Sequence, residues 1–531
     1  MQHRTGNAVA RATGRAHSVG EVNMVNGGWD LIVVGAGSSG AALATRSARL
    51  GKRVLLLEAG TDYRSAQMHE AWRSPNPIVA LLDPTAVTGV VWEGVDSART
   101  EKQRQAPYWR GKGPGGSSSI NGQIAIRPPM ADYEDWAIPG WAPEDVLPYF
   151  AKLEDDEEFG DEPYHGRGGP TPIFRMPREN WGGVDKALAS AALAAGYEWA
   201  PDVNAPDATG VSPYPINSRA GRRVSVNDAY LEPNRELSTL VIRGDALVDK
   251  VLFEGDRATG VSIVSGGAVT TEYADTVVLS AGVIHSPAIL LRSGIGPAAE
   301  LRVLGIDVRA DLPVGRGMQD HGMALLSLPL TVAAAIKSPH DRHTNVCVRF
   351  SSGEVPGDLM FVSNNQNVLA MANADTGAGA GAYGVWLNHS HSRGELTLTS
   401  ADPTAQPLVR ERMLSDERDL ARLRIGVRAM VELGRSAETA EFVDGSIERE
   451  NEALFAVLDD DAKLDDYLLQ TIVDAQHGTS TCRMGEVVDP SCQVLGTEGL
   501  RVVDASIFPS VPRANTNLAA IMTGELMADR I

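Results

Sequence analysis

The chain has 531 residues, of which 43% are hydrophobic and 22% charged, and it carries a formal net charge of −20. This length exceeds what one hydrophobic core ordinarily organises, so we expect two domains or interleaved halves. The acidic balance disfavours binding to nucleic acid or to an anionic membrane surface, because both depend on clustered Lys and Arg.

Residues 1–27 contain arginines but no apolar segment of signal-peptide length, and we interpret them as a flexible leader. No run approaches the roughly eighteen apolar residues of a transmembrane helix. The three cysteines cannot form a disulfide framework, which favours a reducing compartment. Neither CxxC nor HExxH occurs, so no metal site is predicted. We therefore expect a cytoplasmic protein.

The first predicted unit is a strand, a helix and a second strand. Residues 30–34 form a short β-branched run, and residues 39–50 place Ala and Leu at helical spacing. Residues 53–57 are a second apolar run, which ends at Glu58. The order is that of a β-α-β unit with a buried parallel pair of strands.

A glycine fingerprint joins the first strand to the helix. Gly35, Gly37 and Gly40 form GxGxxG, in which the glycines permit a tight turn, close approach of a pyrophosphate and close packing of the helix. Glu58 follows Gly40 by 18 residues and can accept hydrogen bonds from ribose hydroxyls. The unit predicts nucleotide binding without separating NAD from FAD.

Further elements follow from apolar patterns. The acidic run 154–158 is interpreted as a solvated helix end rather than as a metal site. Residues 325–400 alternate enough to predict a separate, mainly antiparallel sheet, with 374–384 as a Gly/Ala-rich mobile loop. Strands are predicted at 240–242, 251–253, 261–264 and 277–279, and helices at 416–433 (N-cap Ser415, stop Gly434) and 464–472.

Six dispersed segments resemble the glucose–methanol–choline (GMC) oxidoreductases, a family of FAD enzymes. They are 110–122 and 282–296, which resemble the two family signatures, and 221–233, 315–321, 392–403 and 502–517. The likeness spans about 29 to 531 and is greatest to the 5-hydroxymethylfurfural oxidase and aryl-alcohol oxidase members.

The resemblance implies an α/β fold, in which a Rossmann-like FAD-binding domain is interleaved with a substrate domain. The substrate domain is expected to be built on a mainly antiparallel sheet with flanking helices. The implied FAD-binding segments are 28–130, 206–315 and 476–531, and the implied substrate-domain segments are 131–205 and 316–475.

The resemblance also implies which residues bind FAD. Consecutive glycines at 115 and 116 remove side chains where a planar ring must lie against backbone. Tyr108 stands where choline oxidases carry a histidine bonded to flavin, so we expect a non-covalent FAD. The expected contacts are Gly35, Gly37, Ser38, Ser39, Gly40, Glu58, Ala59, Arg110, Gly115, Gly116, Ser117, Ser118, Asn121, Gly122, Val248, Asp504, Ala505, Asn515 and Thr516.

The resemblance places a catalytic pair near the C-terminus. Alcohol oxidation requires a base for the hydroxyl proton and a polar group that holds the oxygen as charge builds on it. His477 aligns with the family's catalytic histidine and Asn515 with its His/Asn partner, so we expect a general base and an alkoxide hydrogen-bonder. We expect structural roles for His285 and His321, and no catalytic role for the histidines at 69, 165, 340 and 343.

Two further positions bear on the substrate. Met323 replaces a glutamate that pairs with the cation in choline-oxidising relatives, so choline is disfavoured. Gln476, beside the base, favours a more polar pocket than an aromatic side chain would. We expect oxidation of small primary alcohols, aryl or furanic, with O2 or another acceptor. A sugar, glycoside or polyol substrate stays open, as do a hydroxynitrile lyase activity and the oligomeric state.

Overall fold

The computed structural model describes residues 28–366 and 380–531. The predicted leader at 1–27 and residues 374–379 of the predicted mobile loop lie outside the described residues. Two large sheets organise the described chain, one with seven strands and one with six.

The seven-stranded sheet, here the nucleotide sheet, contains the predicted β-α-β unit. Its strands, in spatial order, are Leu240–Arg243, Val54–Leu57, Trp29–Val34, Ala268–Leu279, Arg257–Ser265 and Leu247–Glu254, with Leu500–Val502 also paired to Ala268–Leu279. The pairs around Trp29–Val34 and Val54–Leu57 are parallel, whereas the last three strands of the order form an antiparallel meander. Val54–Leu57 and residues 31–34 of Trp29–Val34 are buried, as predicted from their unbroken apolar runs.

The six-stranded sheet, here the substrate sheet, is antiparallel throughout. Its strands, in spatial order, are Val473–Asp474, Gly322–Pro329, Ala380–Leu387, Leu359–Asn364, Val346–Phe350 and Gly210–Pro213. The predicted antiparallel sheet is thus confirmed. Gly210–Pro213, which the sequence division placed in the FAD-binding segment 206–315, pairs with Val346–Phe350 of this sheet. The domain bounds themselves stay predictions.

The two faces of the substrate sheet have different neighbours. Leu326 and Val385 pack with the helices Gly183–Ala194 and Glu417–Gly434 in one core cluster. Met323 and Trp386 point to the opposite face and join a smaller apolar cluster that includes Ile124 and Ala514. This alternation is the two-residue period of a strand, and it turns one face of the sheet towards the nucleotide-binding half.

Three local predictions are corrected. The helix at 417–434 begins after Asp416, whose carboxylate accepts the Arg418 N–H, so Asp416 and not Ser415 is the N-cap. The helix predicted at 464–472 is Asp461–Thr471, which starts three residues earlier than predicted because Asp460 caps it. Residues 380–384 of the predicted loop belong to the strand Ala380–Leu387, whose small residues are largely buried between neighbouring strands.

The prediction of a solvated helix end at the acidic run was wrong. Glu154–Asp156 is a short strand, and the side chains of Glu154 and Asp156 are fully buried. His165 and Arg175 lie against them and neutralise their charge. Burial of carboxylates is tolerated there because cations from elsewhere in the chain pair with them.

The remaining elements are strands in smaller sheets, the largest of them five-stranded, and further helices. Additional strands are Asp96–Ala98, Ala106–Pro107, Thr171–Arg175, Pro215–Ile216, Ser218–Arg219, Arg222–Arg223, Arg316–Met318, Gly394–Thr397 and Leu408–Arg410. Additional helices are Ser38–Arg49, Glu70–Arg73, Ile78–Leu81, Pro84–Val87, Met130–Trp136, Pro143–Leu153, Gly282–Arg292, Ala298–Val303, Ala437–Ala440, Ile447–Glu450, Glu452–Phe455 and Thr516–Ala528.

Candidate active site

Three helices begin at one elongated cavity beside the carboxyl ends of the parallel strands. They are the first helix (Ser38–Arg49), the central helix (Gly282–Arg292) and the last helix (Thr516–Ala528). None has a side-chain hydrogen bond from its own N-cap residue. Their first-turn N–H groups and helix dipoles therefore favour an anion such as a pyrophosphate in this cavity.

The cavity has a volume of about 380 Å³. This lies within the range of about 300–1,000 Å³ that small-molecule and cofactor sites occupy. The residues that line the cavity come from the beginning, the middle and the end of the chain, for example Leu57, Ser280 and Asn515.

The two glycine motifs meet in this cavity. A Cβ atom at Gly116 would lie 2.9 Å from the Cα of Gly37, so position 116 does not tolerate a side chain without a shift. Gly115 and Gly116 also have φ angles of 91° and 50°, which favour glycine. A Cβ at Gly40 would lie 2.0 Å from the Gly35 carbonyl oxygen, so Gly40 serves the packing of helix on strand.

Glu58 joins three loops of the cavity. One carboxylate oxygen accepts the Ala36 N–H at 2.9 Å, and the other accepts those of Gly60 at 2.9 Å and Gly113 at 2.8 Å. The side chain also lines the cavity. Glu58 thus holds both glycine motifs together, a role the sequence analysis missed, and its contact with a ribose stays a prediction.

Most residues predicted to bind the cofactor line the cavity. They are Gly35, Gly37, Ser38, Ser39, Glu58, Ala59, Arg110, Gly116, Ser117, Asn121, Gly122, Val248, Asp504, Ala505, Asn515 and Thr516. Gly40, Gly115 and Ser118 lie behind the lining. Ser118 donates to the Gly115 carbonyl at 2.7 Å and accepts the Val226 N–H at 3.0 Å, which fixes the glycine loop rather than a ligand.

Other lining residues had no predicted binding role. His285, expected to be structural, lines the cavity and stacks on Trp92 with ring centroids 4.0 Å apart. Burial lowers the pKa of His285 to about 4, so the ring is neutral. Asn517 accepts the Ser38 hydroxyl at 2.8 Å, across the starts of the first and last helices. Its place in the ANTN run was the only signal that pointed to it.

Some buried polar atoms around the cavity have no hydrogen-bond partner within the described part of the protein, and they show whether FAD suits the cavity. Asn515 Oδ1, Asn517 Nδ2 and Arg110 Nε are buried without a hydrogen-bond partner, and all three residues line the cavity. Buried polar groups normally find partners, so these atoms are consistent with a polar heterocycle and its phosphates as occupant. Together with the glycines of the two motifs and the helix N-termini, these residues fit FAD.

His477 and Asn515 are adjacent in the wall of this cavity. The Asn515 amide nitrogen lies 3.1 Å from His477 Nε2, although the residues are 38 positions apart. Burial first, and then the electrostatic influence of His321 and of the Arg110 cation, lower the pKa of His477 well below its usual value. The imidazole is therefore neutral near pH 7 and able to accept a proton.

The backbone around His477 is held from two sides. Arg110 donates two hydrogen bonds of 2.9 Å to the Gln476 carbonyl, and Asp320 accepts the His477 N–H at 2.8 Å. Asp320 also accepts the Tyr108 hydroxyl at 2.7 Å. Gln476 has a φ of 62°, a strained conformation for a residue with a side chain. These contacts fix a strained turn that points the imidazole into the cavity.

An apolar wall stands beside His477 and Asn515. The Trp386 ring centroid lies 5.3 Å from that of His477, and the Trp386 indole nitrogen contacts the Met323 sulfur. Met323 itself does not line the large cavity, although it was predicted to face the substrate. Trp386 was missed because its strand lies 91 positions from His477 in a region without a motif signal.

Two predictions about neighbours of His477 need revision. Gln476 lines the cavity, but its amide nitrogen donates to Asp474, so only its unpartnered Oε1 adds polarity there. His321, expected to be structural, lies against His477, with 3.0 Å between the two Nδ1 atoms.

The chain is similar to known proteins over nearly its whole length. Residues 29–323 and 390–524 match the N- and C-terminal profiles of the GMC oxidoreductases. A 5-(hydroxymethyl)furfural oxidase from Methylovorus sp. (strain MP688) is 35% identical, over 95% of this chain and 98% of that protein. An oxygen-dependent choline dehydrogenase from Brucella canis is 32% identical, over 94% of this chain and 95% of that protein.

A solved structure also has the same fold. The crystal structure of a pyridoxine 4-oxidase from Mesorbium loti superposes with a TM-score of 0.85 at 26% identity, covering 94% of this chain and 99% of that one. Among the described residues, no helix is both long and apolar enough to cross a membrane. The matched profiles, together with the cavity and its lining, show that the chain belongs to the GMC oxidoreductases, a family of FAD-dependent enzymes.

Proposed function

We propose that this protein oxidises small primary alcohols, aryl or furanic, to aldehydes. The observation that carries the proposal is the 3.1 Å contact between His477 Nε2 and the Asn515 amide, in the wall of a cavity that fits FAD. A neutral imidazole beside an amide donor supplies a base and an oxygen-binding group at one place.

Each residue has a distinct role in the proposed reaction. The substrate hydroxyl hydrogen-bonds to His477 Nε2, which takes its proton, while the Asn515 amide donates to the oxygen as negative charge develops there. FAD, when bound, supplies the acceptor for the hydride that leaves the carbinol carbon. Arg110 and Asp320 hold the turn so that the imidazole does not move during the proton transfer.

The apolar wall supports an uncharged, flat substrate. Trp386 offers an aromatic face beside the base, and Met323 stands where a cationic alcohol would need a carboxylate. The Methylovorus relative is named for oxidation of a furanic alcohol, which supports the same substrate class. A polyol or glycoside is the second candidate, favoured by the buried, unpartnered Oε1 of Gln476 in the cavity wall.

The proposal also covers the binding of the cofactor, the electron acceptor and the cellular compartment. Non-covalent FAD is supported by Tyr108, whose hydroxyl is held by Asp320 at 2.7 Å. O2 or another acceptor reoxidises the flavin. Cys347, Cys482 and Cys492 are buried and unpaired, which supports a reducing compartment such as the cytoplasm.

An alcohol panel tests the proposal. The FAD-loaded protein is mixed without oxygen with an aryl alcohol, a hydroxymethylfuran, a glycoside, a polyol and choline, and loss of the yellow flavin absorbance is followed. We expect the aryl and furanic alcohols to reduce the flavin fastest and choline to react least. The same panel under air, with peroxide and a dye acceptor measured together, separates an oxidase from a dehydrogenase.

Two outcomes would contradict the proposal. If the glycoside or polyol reacts fastest, the second candidate replaces the first. If no alcohol reduces the flavin and a cyanohydrin is cleaved instead, the chemistry is that of a lyase without net oxidation.

A further inference from the structure

His477 makes a second polar contact on the side away from Asn515. Its Nδ1 lies 3.0 Å from Nδ1 of His321, and the other nitrogen of His321, Nε2, lies 3.1 Å from the carbonyl oxygen of Asn388. The four residues therefore form one continuous line: Asn388, His321, His477 and Asn515. Each step in this line joins segments that are distant in the sequence.

The proton positions along this line follow from donor and acceptor capacity. A carbonyl oxygen only accepts, so His321 Nε2 must carry a proton that it donates to Asn388. Burial lowers the pKa of His321 to about 4, so the ring is neutral and its Nδ1 has a free lone pair. The facing Nδ1 of His477 must then be the donor in the contact between the two rings.

His477 is neutral as well, and so has only one ring proton. With that proton on Nδ1, its Nε2 has a lone pair directed at the Asn515 amide N–H. The opposite tautomer would place two lone pairs face to face between the rings, and two donors face to face at Asn515. The geometry is thus compatible with one tautomer only.

We propose that His321 is a positioning residue, which fixes His477 in the Nδ1–H tautomer and so keeps Nε2 as the basic nitrogen in the cavity. The inference deepens the proposed function and rests on His477 as its base. It adds that the nitrogen able to take the substrate proton is selected by a hydrogen bond on the far side of the ring.

The side chain of His321 can be replaced without removing the contacts that hold the backbone around His477. One carboxylate oxygen of Asp320 accepts both the His321 N–H at 2.7 Å and the His477 N–H at 2.8 Å. Arg110 holds the neighbouring carbonyl. The turn that carries His477 therefore keeps its anchors when the side chain at 321 is replaced, and the tautomer can be tested alone.

Nitrogen NMR of the FAD-loaded protein with ¹⁵N-labelled histidine reads the tautomer directly. The His477 resonances are identified by their absence in a His477→Gln variant. We expect a protonated Nδ1 and an unprotonated Nε2 in the unsubstituted protein. A proton on Nε2 instead overturns the proposal, whatever the variants do.

Two substitutions at 321 form a matched pair. His321→Leu removes the acceptor, and we expect the His477 proton to move to Nε2. His321→Asn retains an oxygen acceptor near the place of Nδ1, and we expect the proton to stay on Nδ1. His340→Gln, at an exposed position, is the control. An unchanged tautomer in the Leu variant, or the same shift in both variants, contradicts the role of His321.

Anaerobic flavin reduction by the best alcohol gives a second readout. We expect the Leu variant to be about 10–100-fold slower, the usual effect of losing an orienting partner, and the Asn variant to be close to the unsubstituted rate. If no alcohol reduces the flavin at all, the proposed function fails, while the NMR result still decides the tautomer. Equal rates in the Leu variant and the control overturn the positioning role.

Discussion

Two buried histidines in this protein have opposite electrostatic environments. His165 donates to Glu154 at 2.8 Å and to Asp202 at 2.9 Å, within a cluster that also contains Arg175. Burial opposes its protonation, but these carboxylates outweigh burial and raise its pKa to about 9. His477 has no carboxylate contact through its ring, and burial lowers its pKa well below the usual value.

The difference shows that burial alone does not determine the charge of a histidine. At His165 both ring nitrogens serve as donors to anions, so a cation is stabilised and the imidazole has no lone pair to offer. Glu154, Asp156 and His165 also lie close enough together to hold a metal ion, but a doubly protonated His165 has no lone pair with which to bind one. At His477 the partners are another neutral imidazole and an amide, so a lone pair is preserved where chemistry requires one.

Exchange of the base should give the largest effect. We expect His477→Gln to slow anaerobic flavin reduction by the best alcohol about 10²–10⁴-fold, the usual contribution of a general base. The midpoint of thermal unfolding should stay near that of the unsubstituted protein, because no ion pair is broken. A variant that reduces the flavin at the original rate would remove His477 from the mechanism.

The matching change at the other histidine should affect stability instead. His165→Leu leaves Glu154 and Asp202 without their shared cation, and breaking a buried ion pair costs about 3–5 kcal/mol. We expect a clearly lower midpoint in urea, and a flavin reduction rate per folded molecule that does not change. A midpoint equal to that of the unsubstituted protein would show that the buried cluster does not need the cation.

The pH dependence of stability sharpens the same comparison. The folded-state pKa of His165 is raised from 6.5 to about 9, so its stabilising contribution is complete below pH 6.5 and is lost as pH rises through 9. The stability difference between the unsubstituted protein and His165→Leu should therefore shrink between pH 6.5 and 9. Urea unfolding of both proteins at several pH values measures it, and a difference that grows with pH would contradict the assignment.

Motif-bearing parts of the site were predictable from the sequence. Gly35 and Gly37 lie within one β-α-β unit, and their place in the cavity lining follows from the short connection between strand and helix. Glu58 was also predicted to lie there, but its bonds to Ala36, Gly60 and Gly113 were not predicted. The antiparallel sheet was also predicted, because alternation within a strand is a local property. The acidic run was misjudged, because its neutralising partners His165 and Arg175 come from other segments.

By itself, the sequence predicted the nucleotide cradle, the FAD family and the two residues of the proposed catalytic pair. These depend on side chains close together in the chain or on motifs whose order is preserved. Only the tertiary structure decided that Trp386 and His321 stand beside His477. Hydrogen-bond direction and pKa depend on distances of about 3 Å between segments that no local pattern relates.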